Sequence, residues 1–459
     1  MNEFPSMQEI AAASPLAPTS AEGAAVREQT ERHVLKSMGD EPLVITRAEG
    51  RRMWDSDGTE YLDGTSAEWV LHLGFGNKRV HAAWREQMDL VEFVTPVFES
   101  PPRTQLAAKL AEITPGSAEK VLFATSGADA IEGAMHLAMR GTDGGSDFVC
   151  LDQAFHGRSF GTIGLSYSFP HMLEGSNRGL DRYLTRQIRV PNYNCYRCPL
   201  KLKRDTCDLA CANLVDYALE RAHTHGPAGV ITEAIQANGG MVPAPDGWLQ
   251  RVDEICDNHN VPLIIDEVQT AFCRTGAWTA SQLYGIEPDI IVFGKALGAG
   301  LPLTAAVATP EYGELLPWEY GFTQMGNTVA CAGANAMIEE MEVEDLAAYA
   351  RRIGALMTDR LRALQERSRL IDDVRGPGLM IGIEIVKDPT TREPALEEAA
   401  AIMNEAFVRG LVIGRSGPVF GAFGNVLKFK PAVNTTEDEA HAMLDRFEAA
   451  VDDVEGRAR

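Results

Sequence analysis

The chain has 459 residues, 45% of them hydrophobic and 23% charged, the balance of a soluble globular protein long enough for more than one structural unit. With 65 acidic residues against 42 basic ones its net charge is −23, which argues against nucleic acid or anionic membrane as a partner. No apolar run approaches the roughly 18–20 residues that span a bilayer, and residues 1–6 have no basic stretch ahead of an apolar one. A membrane span and a secretory signal are therefore not expected, and the cytoplasm is the expected location.

Residues 1–20 are rich in Ala, Ser and Pro and are expected to be loose. A helix is expected over 24–36. Residues 51–63 alternate apolar and polar side chains around an Asp-Gly turn, the pattern of a β-hairpin. From about 76 to 334 short apolar runs alternate with helical stretches. Strands are predicted at 120–124, 147–151, 228–233, 262–266, 289–293 and 303–307, and helices at 128–140 and 249–259. Apolar runs without alternation are strands buried on both faces, so the middle of the chain reads as a mostly parallel sheet covered by helices. After about 335 the pattern becomes α+β: one long helical region at 336–366, strand and turn at 375–386, and helices at 396–409 and 436–454. The expected division is an N-terminal segment (1–75), a large unit (76–334) and a C-terminal unit (335–459) that packs with the N-terminal hairpin.

Two of the predicted strands end in charged residues. The run 262–266 delivers Asp266, and 29 residues later the run 289–293 leads to Lys295. A lysine that can hold an aldehyde as a Schiff base, with a carboxylate that can keep a pyridine nitrogen protonated, is the minimum equipment for pyridoxal phosphate (PLP) chemistry. The competing explanation is an ordinary α/β sheet with polar strand ends. Ligands of open α/β sheets sit beyond the carboxyl ends of the strands, where Ser126, Gly127 and Ala128 would stand at a helix N-terminus suited to phosphate. The same Ser-Gly pair can equally be a plain N-cap. Phe155, followed by His156, offers a flat ring for stacking on a cofactor, or simply a core side chain. Desolvation behind an apolar run should lower the pKa of Lys295. Cys195, Cys198, Cys207 and Cys211 are spaced for a structural zinc site or for packed, reduced thiols; Cys211 falls at the start of an expected amphipathic helix.

The ordered set of motifs resembles the class III (ω-type) aminotransferases of PLP fold type I, over roughly residues 40–450. The resemblance is strongest at 265–276 together with 288–295. It is supported at 125–132, 155–157, 232–236 with Gly239 and Gly240, 322–327 and 374–380. It implies an α/β fold, with a large, mostly parallel mixed sheet flanked by helices and a smaller α+β domain built from both ends of the chain. It also implies that Lys295 forms the internal aldimine and shuttles the Cα proton, while Asp266 pairs with the pyridine nitrogen. Phe155 and Val268 would sandwich the ring, with His156 in the same cofactor-binding set, and Gln269 would bond the ring hydroxyl. Ser126, Gly127 and Ala128 would hold the phosphate, and Glu233 would lie near the ring on the substrate side. Thr323 would reach the phosphate of a neighbouring subunit, so the resemblance implies a homodimer or a dimer of dimers. No metal is implied for the chemistry.

The chain departs from the family pattern at Ala234 (usually Pro), at Asp129 (usually Glu), and in the 73–78 block, which often carries Gly-His and His-Pro. At Lys428 many members that use glutamate or 2-oxoglutarate carry an arginine. Lysine cannot copy the bidentate grip of a guanidinium on a carboxylate. The Lys-x-Lys-Pro sequence at 428–431 is more like the branch of alanine–glyoxylate-type enzymes and amino-alcohol phosphate phospho-lyases. The expected activity is transfer of an amino group from an amine or amino acid to a 2-oxo acid, pyruvate-like or 2-oxoglutarate. Lys428 would anchor the carboxylate and Trp69 would shape the pocket, unless Trp69 is plain core. The alternatives are a lyase or an epimerase on the same scaffold, or a PLP fold that binds without catalysis.

Overall fold

The structure is a computed structural model that describes residues 19–35, 43–142, 144–166, 187–416 and 424–457. Most of the start expected to be loose lies outside these residues. Helix α1 (Ala21–His33) begins at Ser20, whose hydroxyl accepts from Gly23 N; Lys36, the expected end of this helix, is outside the described set. The alternating segment forms the expected hairpin. Strands β1 (Ile45–Glu49), β2 (Arg52–Asp55) and β3 (Glu60–Asp63) pair antiparallel in that order. Asp55 Oδ1 fixes the turn by accepting from Asp57 N and Thr59 N. Two helices that the sequence reading did not anticipate follow, α2 (Lys78–Leu90) and α3 (Pro101–Ile113).

Next come β4 (Lys120–Ala124), α4 (Gly127–Gly141), β5 (Asp147–Leu151), β6 (Gln187–Val190), α5 (Ala210–Tyr217), β7 (Pro227–Thr232) and a short ribbon, β8 (Ile235–Gln236) with β9 (Val242–Pro243). Helix α6 (Trp248–His259), β10 (Leu263–Asp266), α7 (Ala280–Tyr284), β11 (Ile290–Phe293) and β12 (Thr304–Ala308) complete the middle of the chain. Among the described residues the central sheet has seven strands in the order β4-β12-β11-β10-β7-β5-β6. Only β12 runs against its neighbours. Its strands are buried on both faces: Ile290 and Val292 pack on the side of α4, while Ile291 and Phe293 face the opposite core. Registers then set the site. Asp266 is opposite Val292, three residues before Lys295, and Thr232 is opposite Ile265, which brings Glu233 level with Asp266.

The expected single helix at 336–366 is two, α8 (Thr328–Val343) and α9 (Leu346–Arg367). The break is chemical. Asp345 takes a left-handed conformation (φ 44°) and its carboxylate caps Ala348 N, which starts a new helix. Strands β13 (Ile371–Arg375) and β14 (Ile381–Ile385), helix α10 (Leu396–Val408), strands β15 (Leu411–Val412), β16 (Gly414–Arg415) and β17 (Val426–Phe429), and helix α11 (Glu437–Arg457) follow. One C-terminal sheet is β13-β14-β17-β16. Strand β15 instead joins the N-terminal hairpin, parallel to β3 with Leu411 opposite Leu62, so the two ends of the chain share a sheet.

Of the two alternatives for the cysteine-bearing segment, the zinc site is not formed among the described residues. Cys195, Cys198, Cys207 and Cys211 line one small pocket, but among the described residues no group of three or more His, Cys, Asp or Glu side chains is placed to hold a metal ion. All four thiols are free, and burial pushes Cys195 and Cys211 up, toward the protonated form. Charged side chains pin the segment instead. Arg197 Nε donates to the buried Glu384 at 2.8 Å, and the Arg392 guanidinium lies 4.3 Å from the centre of the Tyr196 ring.

Candidate active site

Strand ends of the central sheet converge on a cavity of about 170 Å³ lined by Gly127, Ala128, Phe155, His156, Gly157, Asp266, Val268, Gln269 and Lys295. Helix α4 opens on it through a capping box: Asp129 N donates to Ser126 Oγ, and the Asp129 carboxylate accepts from Ser126 N. The N-cap explanation of Ser126 therefore holds as geometry. The box leaves the Gly127 and Ala128 N–H groups of the first turn facing the cavity, where the helix dipole favours an anion. Phe155 and Val268 supply apolar walls. At Gly157 (φ +126°) an added Cβ would stand 2.5 Å from Thr162 Oγ1 and 2.8 Å from Ala128 Cβ, so only glycine lets this loop pass so close to α4.

Asp266 is held on both oxygens. Oδ1 accepts from Val268 N at 3.0 Å, and His156 Nδ1 donates to Oδ2 at 2.7 Å. Glu233, equally buried, accepts from Phe155 N at 3.1 Å and Ala237 N at 3.0 Å, and so fixes the loop that carries Phe155. Burial, with Asp266 adding to it, raises the Glu233 carboxyl to about 7. Lys295 has a left-handed backbone (φ 45°), a conformation that costs a non-glycine residue roughly 1–3 kcal/mol and is characteristic of functional sites. Burial lowers its pKa, against the opposing pull of Asp266.

Behind the cavity stands Trp69, buried at 2% exposure and surrounded by amines. The Nζ atoms of Lys430, Lys428 and Lys295 lie 3.3, 5.4 and 5.7 Å from its ring centre. Burial lowers Lys428 to about 8 and Lys430 to about 7. Lys430 Nζ pairs with Glu68 Oε2 at 2.6 Å. Trp69 ends a turn, Ser66 to Trp69, in which four successive residues have positive φ (48°, 47°, 58° and 68°). Such a turn costs roughly 1–2 kcal/mol per residue and must be held by its surroundings. Asp63 accepts from Thr65 N, Thr65 Oγ1 and Ala67 N, and Ser66 Oγ bonds both Lys430 O and the buried Arg274.

Lys295, Asp266, Gly127, Ala128, Phe155, His156, Val268 and Gln269 thus meet around one cavity, with Ser126 and Glu233 beside it and Trp69 and Lys428 against Lys295. Thr323 does not join them within the chain: it is exposed on the loop before α8. Sequence reasoning missed Glu68, Asp63 and Arg274. Nothing in the linear pattern marks them, since they act across 208 positions (Arg274 to Ser66) and 362 positions (Lys430 to Glu68).

The residues present fit PLP. The cavity offers apolar walls, helical N–H groups, a held carboxylate and a half-buried lysine. It also contains a Gln269 oxygen that is buried without a partner, as a ring hydroxyl would require. A mixed sheet with one reversed strand and this cavity at its carboxyl edge is that of the PLP-dependent enzymes of fold type I. The sequence pattern of class III aminotransferases matches residues 35–451, and the chain belongs to that family. Among curated relatives, the leucine/methionine racemase of Thermococcus litoralis is 35% identical over 419 residues, 90% of this chain and 91% of that protein. The adenosylmethionine-8-amino-7-oxononanoate aminotransferase of Geobacter sulfurreducens is 33% identical over 436 residues, 91% and 93% of the two chains. The solved structure of an amine transaminase from an uncultivated Pseudomonas species, in its PLP-bound form, superposes with a TM-score of 0.84 at 28% identity, covering 92% of this chain and 99% of that one. The chain is an aminotransferase that uses PLP.

Proposed function

We propose that this aminotransferase takes amino donors bearing a carboxylate and passes their amino group to a 2-oxo acid, pyruvate or 2-oxoglutarate. The observation that carries this reading is Lys428, a buried lysine whose ammonium shares the Trp69 ring with Lys295. A buried cation calls for an anion, and the anion it would meet here belongs to the ligand.

Bound PLP supplies an aldehyde and a pyridinium ring that accepts electrons. Asp266, oriented by His156 and Val268 N, holds the proton at the ring nitrogen. Ser126, Gly127 and Ala128 would bind the phosphate, Phe155 and Val268 would clamp the ring, and Gln269 would bond its hydroxyl. Lys295 Nζ would tether the cofactor and, once a substrate amine had displaced it from that bond, would be free to take the proton from the substrate Cα. Residues 76–334 serve as the cofactor-binding unit, and the segments 1–75 and 335–459 close the substrate side with Trp69 and Lys428. Thr323 acts on the partner of a homodimer. No helix of the described residues is long and apolar enough to cross a membrane, and a cytoplasmic location is part of the reading.

Incubation with one amino donor and no oxo acid tests the reaction. Transfer gives a single turnover to the pyridoxamine form, and Lys295→Ala should lose both the visible absorbance of the tethered cofactor and turnover. Turnover in Lys295→Ala at the wild-type rate would refute the role of that lysine. The 35% identity to a racemase supports a second reading, epimerisation at Cα. In that case the single-donor incubation would accumulate the opposite enantiomer of the donor with no pyridoxamine form.

A further inference from the structure

We infer that Lys428, Lys430 and Trp69 form an oxyanion subsite whose resident occupant is the chain's own Glu68, and that a substrate anion enters by displacing it. The inference rests on the aminotransferase reading and names how that site selects its ligand. Lys430 is buried at 1% exposure, and its ammonium meets one carboxylate, Glu68, at 2.6 Å. The Glu68 side chain is 68% exposed. Two buried ammonium groups thus face one carboxylate, while Glu233, the other acid acting on Lys428, has its oxygens engaged by Phe155 N and Ala237 N.

Asymmetry of anchoring decides which partner yields. Lys428 and Lys430 are fixed in and beside β17, between neighbouring strands. The Glu68 backbone is locked by the left-handed turn, but its carboxylate extends beyond it and can rotate into water, where it loses little. An arriving anion can touch both lysines and stand next to Lys295, whose Nζ shares the Trp69 ring with theirs. Exchange of one carboxylate for another keeps the buried charge balanced, so the site accepts an anionic substrate without burying a new net charge. A donor lacking an anion leaves Glu68 in place.

The competent fraction of such a site is set by how often Glu68 leaves, and removing the competitor recovers that factor. Holoenzyme is titrated at pH 6 by calorimetry with sodium propanoate, and separately with inorganic phosphate. The proteins are the wild type, Glu68→Gln, Glu68→Ala and Lys428→Met. Both Glu68 variants should bind one of the anions about ten-fold more tightly, and Lys428→Met should lose most of that binding. Tightening toward propanoate identifies a carboxylate substrate; tightening toward phosphate identifies a phosphate ester. Affinities unchanged or weaker in both Glu68 variants overturn the displacement, and undiminished binding in Lys428→Met overturns the subsite. Neither anion carries an amino group, so these outcomes are independent of whether any donor is transaminated.

Discussion

Lys428 and Lys430 are ordinary lysines made unusual by position. Burial brings them to about 8 and about 7, while Glu68 pulls them back toward the charged form. Only the protonated amines attract an anion. Binding of a carboxylate donor is therefore intact below about pH 7 and is lost as the pH rises through about 7 and then about 8. In pH profiles, kcat/KM for a carboxylate donor should fall above about pH 7 along a limb that a donor without an anionic group does not share. The acids facing these amines, Glu68 and Glu233, and the neighbouring Lys295 are common to both profiles, so their difference isolates the pair. Lys428→Arg stays charged and should move that limb upward. Identical limbs for the two donors would remove Lys428 from substrate binding.

At the scale of the element, the Ser66–Trp69 turn shows how a strained segment is kept. Arg274, fully buried and lowered to about 9 by burial, donates to Leu379 O, Pro431 O and Ser66 Oγ. Arg274→Met leaves three buried acceptors without their donor and should cost about 3 kcal/mol, read as a lower urea midpoint at unchanged slope. Trp69 fluorescence should change with it; an unaltered midpoint would mean that the turn supports itself. The same contrast explains what could be read in advance. Strands β10 and β11 were legible because burial on both faces leaves unbroken apolar runs, and such runs deliver Asp266 and Lys295 in adjacent registers. Strand β17 was not, because its Val-Leu-Lys-Phe breaks the apolar pattern with a lysine that faces the site. Helix α2 escaped notice because Lys78, Arg79, Arg85 and Glu86 crowd its exposed face. The α8–α9 break was hidden because an aspartate can cap a helix or sit within one, and periodicity alone does not choose. The site's second tier, Asp63, Glu68 and Arg274, depends on contacts between distant segments that no local pattern records.

At the scale of the molecule, two segments leave large apolar side chains in water in a single copy. Phe93, Val97, Phe98, Leu316, Trp318 and Phe322 are exposed, Trp318 at 91%. Arg103 staples the two segments by donating to Val94 O, Phe98 O and Gly326 O, and Thr328 Oγ1 bonds Glu92 O. Exposed apolar side chains of this kind are suited to association, and Thr323, next to Phe322, is exposed with them. The wild type should sediment as a dimer. Trp318→Glu combined with Phe98→Glu should give a monomer that binds PLP weakly, whereas a double variant that stays dimeric would place the interface elsewhere.

The turn beneath Trp69 also has a consequence in time. Glu68 and Lys430 are separated by 362 positions, and the strand that seals the first hairpin, β15, comes from near the end of the chain. A ribosome adds about 5–20 residues per second, so the indole emerges roughly 20–70 s before its partner lysine exists. Until then the nascent protein has the phosphate end of its site but no wall on the substrate side. Unfinished or prematurely released copies should therefore be catalytically silent even after PLP reaches them. A chain ended at residue 424 tests this: it should retain no transaminase activity, and activity in it would show that the pocket closes without its last strand.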